Sequence, residues 1–276
     1  MQKIRKLFGG IEMTWPKVII MALVTAVYTA LINQVPFFKD TSFQDIAISF
    51  ECWILFALII IMNCKKVTEA MLKNFVFFLI SQPLIFLIEV PFSALGFGIF
   101  QYYKKWFVIT LLTIPGSAAA FLVKRKDWLS VLSLSVANGF LGGMGAVYLK
   151  SALFEFPNHL LSAIFCVALA VFFVFVLLSD KKHRITALAV ILAAFVFMFV
   201  YKSMDDSQTV YIGEGSWSCE ITDESVVSVE IDGDNNAEFK AEKDGYSYVY
   251  FIKDDGTKEE YYVTVSGGGV YINRFD

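Results

Sequence analysis

The chain has 276 residues, 57% of them hydrophobic, with 28 Phe, a mean hydropathy of +0.61 and a formal net charge of −3. So apolar a composition excludes an ordinary water-soluble domain. The charge is unevenly held: residues 1–204 carry 18 Lys and Arg against 9 Asp and Glu, and residues 205–276 carry 5 against 17. A nucleic-acid partner is excluded, because the bases sit in short loops and the large polar segment repels phosphate.

A helix needs about 20 mostly apolar residues to cross a bilayer core of about 30 Å. Seven stretches meet that need: Pro16 to Val35, Phe43 to Asn63, Thr68 to Phe92, Trp106 to Val123, Trp128 to Leu149, Pro157 to Ser179 and Ile185 to Tyr201. Short polar punctuation separates them, such as Lys65-Lys66 and Lys124-Arg125-Lys126-Asp127, so consecutive helices are expected to be antiparallel neighbours. Lys3, Arg5 and Lys6 precede the first stretch, and no small-x-small cleavage site follows it, so the first span is expected to be retained. Ile4, Leu7 and Phe8 mixed with these bases suit a short interfacial helix on the inner leaflet. With the N-terminus in the cytoplasm, 13 of the 18 bases in the membrane half fall on the inner face. An odd number of spans then places the acidic tail outside. Trp15, Trp106, Trp128, Tyr102, Tyr103, Tyr148 and Tyr201 stand near span ends as interfacial anchors.

Polar residues inside the spans are the candidates for function. Glu51 lies about 13 Å deep, counted at about 1.5 Å per residue, where an acid costs on the order of 2.5–3.5 kcal/mol to insert. Gln44, seven residues earlier, is expected on the same helix face. In the third span Gln82 shares a face with Glu89, and these two faces are expected to line one cavity. Pro83 and Pro115-Gly116 are helix-break candidates, each proline removing a backbone donor and freeing the carbonyl of Leu79 or Leu111. The fifth span adds Asn138 and a stripe of small residues, Ser135, Gly139 and Gly143, where another backbone can come close. Discontinuous helices meeting at mid-depth are how many transporters expose backbone groups to a solute.

Enzyme chemistry lacks its residues. An intramembrane zinc site needs several His and acidic ligands, and the chain has only His159, near a span end, and His183, in a basic loop. No Lys lies within the last span to carry retinal, and no His or Lys base accompanies a mid-depth Ser. Cys52, Cys64, Cys166 and Cys219 have no metal-ligand or disulfide spacing and read as structural. No cofactor is implied.

From Ser225 the pattern turns to period two. Val227, Val229 and Ile231 alternate with Ser228 and Glu230; Tyr246, Tyr248, Tyr250 and Ile252 alternate with Ser247, Val249 and Phe251; Tyr261, Val263 and Val265 alternate with Tyr262 and Thr264. Turn residues at Asp232-Gly-Asp-Asn-Asn236, Asp244-Gly245 and Asp254-Asp-Gly256 separate these three strands. Asp232, Asp234 and Asn236 match the opening of a calcium loop, but Ala237 and Lys243 stand where that loop needs Gly and Glu, so a hairpin turn is expected. A small antiparallel sandwich over Gln208 to Ser266 follows, with Trp217, Val227, Val229, Tyr248 or Val249, and Val263 in its core. The run Trp217-Ser218, Ser225-Val-Val-Ser-Val229, Lys240-Ala-Glu-Lys-Asp-Gly245 and Tyr262-Val-Thr-Val-Ser266 resembles the bacterial immunoglobulin-like domain of group 2. That resemblance implies a bacterial, extracytoplasmic adhesive or spacer module and no catalytic residue.

The sequence therefore predicts a polytopic α-helical membrane protein with seven transmembrane helices over residues 1–203, N-terminus in and C-terminus out, and an all-β domain over residues 204–276. Beyond the lipid bilayer, its expected partner is a small solute or ion bound at Glu51, Gln82, Glu89, Asn138 and Gln44 in a bacterial plasma membrane. The alternative is a non-transporting anchor whose outer domain meets an extracytoplasmic protein or surface.

Overall fold

A computed structural model describes residues 6–39, 41–93, 95–154, 156–203 and 207–275. Lys3, Arg5 and Asp40 lie outside the described residues, as do the side chains at 202–206. Among the described residues eight α-helices precede seven strands: α1 (Trp15–Gln34), α2 (Ser42–Ile48), α3 (Phe50–Asn63), α4 (Val67–Glu89), α5 (Tyr103–Phe121), α6 (Trp128–Phe154), α7 (Leu160–Leu177) and α8 (Lys181–Ser203). Six of them are long and apolar enough to cross a membrane, and α2 and α3 form a pair bent by 43° that makes a seventh crossing if counted as one span.

The bend is the main departure from the expected spans. It falls at Ser49, whose extended backbone caps both helices (φ −74°, ψ 160°), and no proline causes it. Conversely, α4 runs unbroken through Pro83 and α5 through Pro115. Apolar neighbours hold these helices together although each proline has removed one backbone hydrogen bond. The helix-break candidates therefore do not break their helices.

By contact density the chain divides into residues 1–142 with 164–193, and residues 143–163 with 194–276. In the first unit α4 packs along both α1 and α5. The contact with α1 is close because Val18, Ala22, Ala26 and Ala30, spaced by four, are all fully buried against Ala70, Phe77, Phe78 and Ile85. A second cluster joins α3, α6 and α7 through Leu58, Leu134, Leu141, Leu169 and Phe173. The glycines of α6 meet α8 within the chain: a Cβ on Gly142 would stand 2.7 Å from the Ile191 carbonyl oxygen.

The bases of this unit cap helix ends. Lys73 reaches the Met13 carbonyl and Lys124 the Cys64 carbonyl. Asn63 accepts from the backbone N–H of Gly9 (3.0 Å) and Ile11 (2.7 Å). The N-terminal segment is thereby tied to the basic end of the bundle. Lys6–Phe8 forms a single 3-10 turn, and Phe8 is buried with its ring 6.1 Å from Phe173; the rest of the expected interfacial helix, Ile4 included, lies outside the described residues.

In the second unit the strands are β1 (Ser207–Tyr211), β2 (Trp217–Ile221), β3 (Val227–Ile231), β4 (Asn236–Ala241), β5 (Gly245–Lys253), β6 (Lys258–Ser266) and β7 (Gly269–Phe275). They form two antiparallel sheets, ordered β1-β4-β3 and β2-β5-β6-β7. Both sheets share one core in which the rings of Phe239, Phe251 and Tyr261 meet at 5.4–6.1 Å, with Val227, Val249 and Val263 fully buried around them. Val249 points inward and Tyr248 outward; Trp217 and Val229 pack partly buried at the margin.

Sequence alternation located β3, β5 and β6. It did not name β1, β2 or β4, and the expected sandwich ended one strand short at Ser266, where Gly267 (φ +59°) and Gly268 (φ +76°) make a two-residue hairpin turn into β7. The acidic loop at Asp232 is a hairpin turn: its carboxylate accepts from the N–H of Asp234 and of Asn236, each at 2.9 Å.

Candidate functional site

The end of α1 brings Thr25, Thr29 and Asn33 to one face, four residues apart. Thr29 donates to the Ala47 carbonyl at 3.0 Å and so ties α1 to the last turn of α2. Beyond it, Gln44 Nε2 donates to Asn33 Oδ1 at 2.9 Å, and Asn33 Nδ2 donates to Glu89 Oε1 at 2.7 Å. Three elements are thus linked in one directed chain that ends on a carboxylate. Glu89 is 7% exposed, and no cation among the described residues pairs with it.

Glu89 and Gln82 both line a cavity of about 380 Å³ between α1, the bent pair, α4, the turns after α4 and the start of α5. Its aromatic walls are Trp53, Phe86, Tyr102 and Trp106. The cavity opens away from the basic end, and Gln82 lies about 10 Å below Glu89 along α4. One turn further along α4 three rings pack together: Trp53 lies 5.6 Å from Phe78 and 5.8 Å from Phe77, and those two are 5.2 Å apart.

The polar residues singled out from sequence fall into two places. Gln82, Glu89 and Gln44 belong to this cavity or its hydrogen-bond chain. Glu51 does not, although the seven-residue spacing had grouped it with Gln44. The 43° bend at Ser49 interrupts that spacing, and Glu51, 1% exposed, is not among the residues that line the cavity. Asn138, fully buried on α6, lies apart from the cavity too. Asn33, Thr29, Trp53 and Trp106 were missed; the Thr25-Thr29-Asn33 stripe was the available signal for the first two.

Gly116 borders a different space of about 580 Å³, walled by α3, α4, α5 and α6 and almost wholly apolar. Beside it Asn74 donates to Ser117 Oγ at 2.7 Å, joining α4 to α5. Nothing lies within 4 Å of a Cβ placed on Gly116, so this glycine serves no close backbone approach. No group of three or more His, Cys, Asp or Glu suited to a metal occurs among the described residues.

No family model, no curated protein and no solved structure matches this chain.

Proposed function

We propose that this is a multi-pass protein of a bacterial plasma membrane that binds a small cationic solute, of the amine class, in the Glu89 cavity and moves it through the bundle. The observation that carries this reading is the chain from Gln44 through Asn33 to Glu89, which leaves a nearly buried carboxylate at the edge of an aromatic-walled cavity without a cation. Aromatic faces attract organic cations, and a concave, largely apolar site with a few convergent polar groups is the usual form of a small-molecule site. The bent pair counts as one of seven spans, and the bias of bases supports a cytoplasmic N-terminus. In that orientation the Glu89 end of the cavity is the outer one and the Trp53-Phe77-Phe78 rings lie on its inner side, an arrangement that one state of alternating access would use.

In the second reading the bundle anchors an immunoglobulin-like tail whose contacts are the function. It is favoured by the outer face of the larger sheet, where Tyr246, Tyr248 and Tyr262 gather with rings 5.3–6.2 Å apart and Tyr246 is 65% exposed.

The test is uptake of a labelled panel of primary, di- and quaternary amines into proteoliposomes, with protease accessibility of the tail recorded in whole cells. Glu89→Gln keeps the acceptor for Asn33 but removes the charge, and uptake is expected to fall at least about tenfold, one charge-assisted hydrogen bond being worth about 1.5–3 kcal/mol. Uptake unchanged in Glu89→Gln sinks the solute reading, and a tail protected in intact cells sinks the orientation.

A further inference from the structure

Glu51 is 1% exposed and both of its carboxylate oxygens are buried without a hydrogen-bond partner. Asn138, fully buried, has neither its Oδ1 nor its Nδ2 paired. Orphaned atoms of this kind cost about 1–3 kcal/mol each, more when charged, so their clustering calls for a ligand.

One ring contact and one shared cluster put them on facing helices. Phe50, the residue before Glu51, packs its ring 6.3 Å from Phe140, two residues beyond Asn138, so the two side chains lie at one depth. Glu51 shares a face of α3 with Ile54, Leu55 and Leu58, and Asn138 shares a face of α6 with Val131, Leu134 and Leu141. Both faces pack into the same cluster with Leu169, Ala170 and Phe173 of α7.

The helix break lies at the same level. Ser49 separates α2 from α3. A break leaves the last carbonyls of the first half without donors in their own helix. Here the Ser49 N–H takes the Asp45 carbonyl and Thr29 that of Ala47, so the carbonyls of Ile46 and Ile48 stay outside these pairings.

From these observations we infer that Glu51, Asn138 and the α2–α3 break form an enclosed site for one sodium ion, separate from the Glu89 cavity. The set is oxygen-rich, suited to a hard cation rather than a thiophilic metal. Ion sites at broken helices use the same combination of carboxylate, amide oxygen and freed carbonyls. A proton gives Glu51 a donor for the Asn138 oxygen, whereas a cation is held by both oxygens at once; the acid and Na⁺ series below separate the two. The titratable groups around Glu51 are Asp45, which is engaged with another group, Cys52 and Cys166, and none of them supplies a positive charge.

Ion binding does not depend on the solute reading and is measured without transport. Full-length protein in detergent is unfolded thermally while choline chloride is replaced by NaCl at constant ionic strength and fixed pH, with KCl as a parallel series. A saturable Tm rise of about 5 °C is expected at Na⁺ about 100-fold above its Kd. It should vanish in Glu51→Gln and in Asn138→Leu and persist in Glu89→Gln, which disables only the other cavity. Asn138→Asp keeps an oxygen ligand and adds charge, so its Na⁺ dependence should grow, which covers the case of a poorly folding Leu variant. Equal Tm in Na⁺ and choline, an equal rise with KCl, or a Na⁺ effect that survives Glu51→Gln overturns the site. So does a Tm rise on acidification alone to which Na⁺ adds nothing.

Discussion

The helical bundle and the β tail treat polar groups in opposite ways. Among the described residues Ser247 is the one buried polar side chain of the strands, and its hydroxyl accepts from the Asp223 N–H at 2.9 Å. The helices bury Glu51, Lys73, Asn74, Gln82, Glu89 and Asn138, and four of their residues, Glu51, Asn74, Ser81 and Asn138, hold orphaned atoms. Water covers one face of each sheet, so the strands turn polar groups outward at no cost. Between apolar helices no such outlet exists, and a polar residue persists there against an insertion cost of order 2.5–3.5 kcal/mol for an acid. Interior polarity is therefore the informative feature of the bundle, and the outer surface that of the tail.

The comparison breaks most visibly in the tail core. Phe239→Ala empties the centre of the Phe239-Phe251-Tyr261 cluster and should cost about 3–5 kcal/mol. The expected outcome is loss of the β circular-dichroism signal and rapid proteolysis of the tail, with the bundle melting as before. Coupled loss of both transitions would show the two regions to be one cooperative unit.

In the bundle a smaller change has a comparable logic. Gly142→Ala puts a methyl 2.7 Å from the Ile191 carbonyl oxygen, and overpacking of about 1–3 kcal/mol should outweigh the roughly 1 kcal/mol that alanine gains in helix propensity. A lowered Tm in detergent with an intact tail is expected. A raised Tm would mean that α6 and α8 do not meet there.

The smallest effect is a pH dependence confined to the tail. The Asp232 carboxyl is held below its ordinary value first by the Asn236 side chain, and Asp223 and Asp255 likewise by Ser225 and Thr257. A depressed carboxyl stabilises the fold above its unfolded pKa and loses that contribution as pH falls through the folded value, so the tail should soften below about pH 4. At the alkaline end burial pushes the Tyr261 hydroxyl up to about 12. A raised tyrosine contributes fully below its unfolded value of about 10 and loses its contribution as pH climbs through 12. Melting of an isolated 204–276 fragment across pH 2–12 checks both limits, and a flat profile at the acid end would remove the turn carboxylates from the account.

Legibility in the sequence follows the same divide. In the tail, period two named β3, β5 and β6 and half of the core, because one wet face makes alternation obligatory. It missed β7, whose signal was the pair Gly267-Gly268 before Val270-Tyr271-Ile272. In the bundle, length and apolarity located the helices but not their facing, since a helix apolar all round carries no stripe to show which side meets its neighbours. Prolines were overread as breaks, and the bend at Ser49 carried no residue signal at all.

What the sequence determined by itself was the partition of the chain: long apolar helices, an acidic strand-patterned tail, and a short list of polar residues too costly to be incidental. Those are properties of local composition and period, and each residue supplies them independently of its partners. Only the tertiary structure decided which of those polar residues belong together. Glu51 is absent from the lining of the Glu89 cavity, and Asn33, arriving on another helix, takes both Gln44 and Glu89. Grouping depends on rotation about helix axes and on depth, and both are set by close packing of side chains from segments distant in sequence, such as Ala26 against α4 and Phe50 against Phe140.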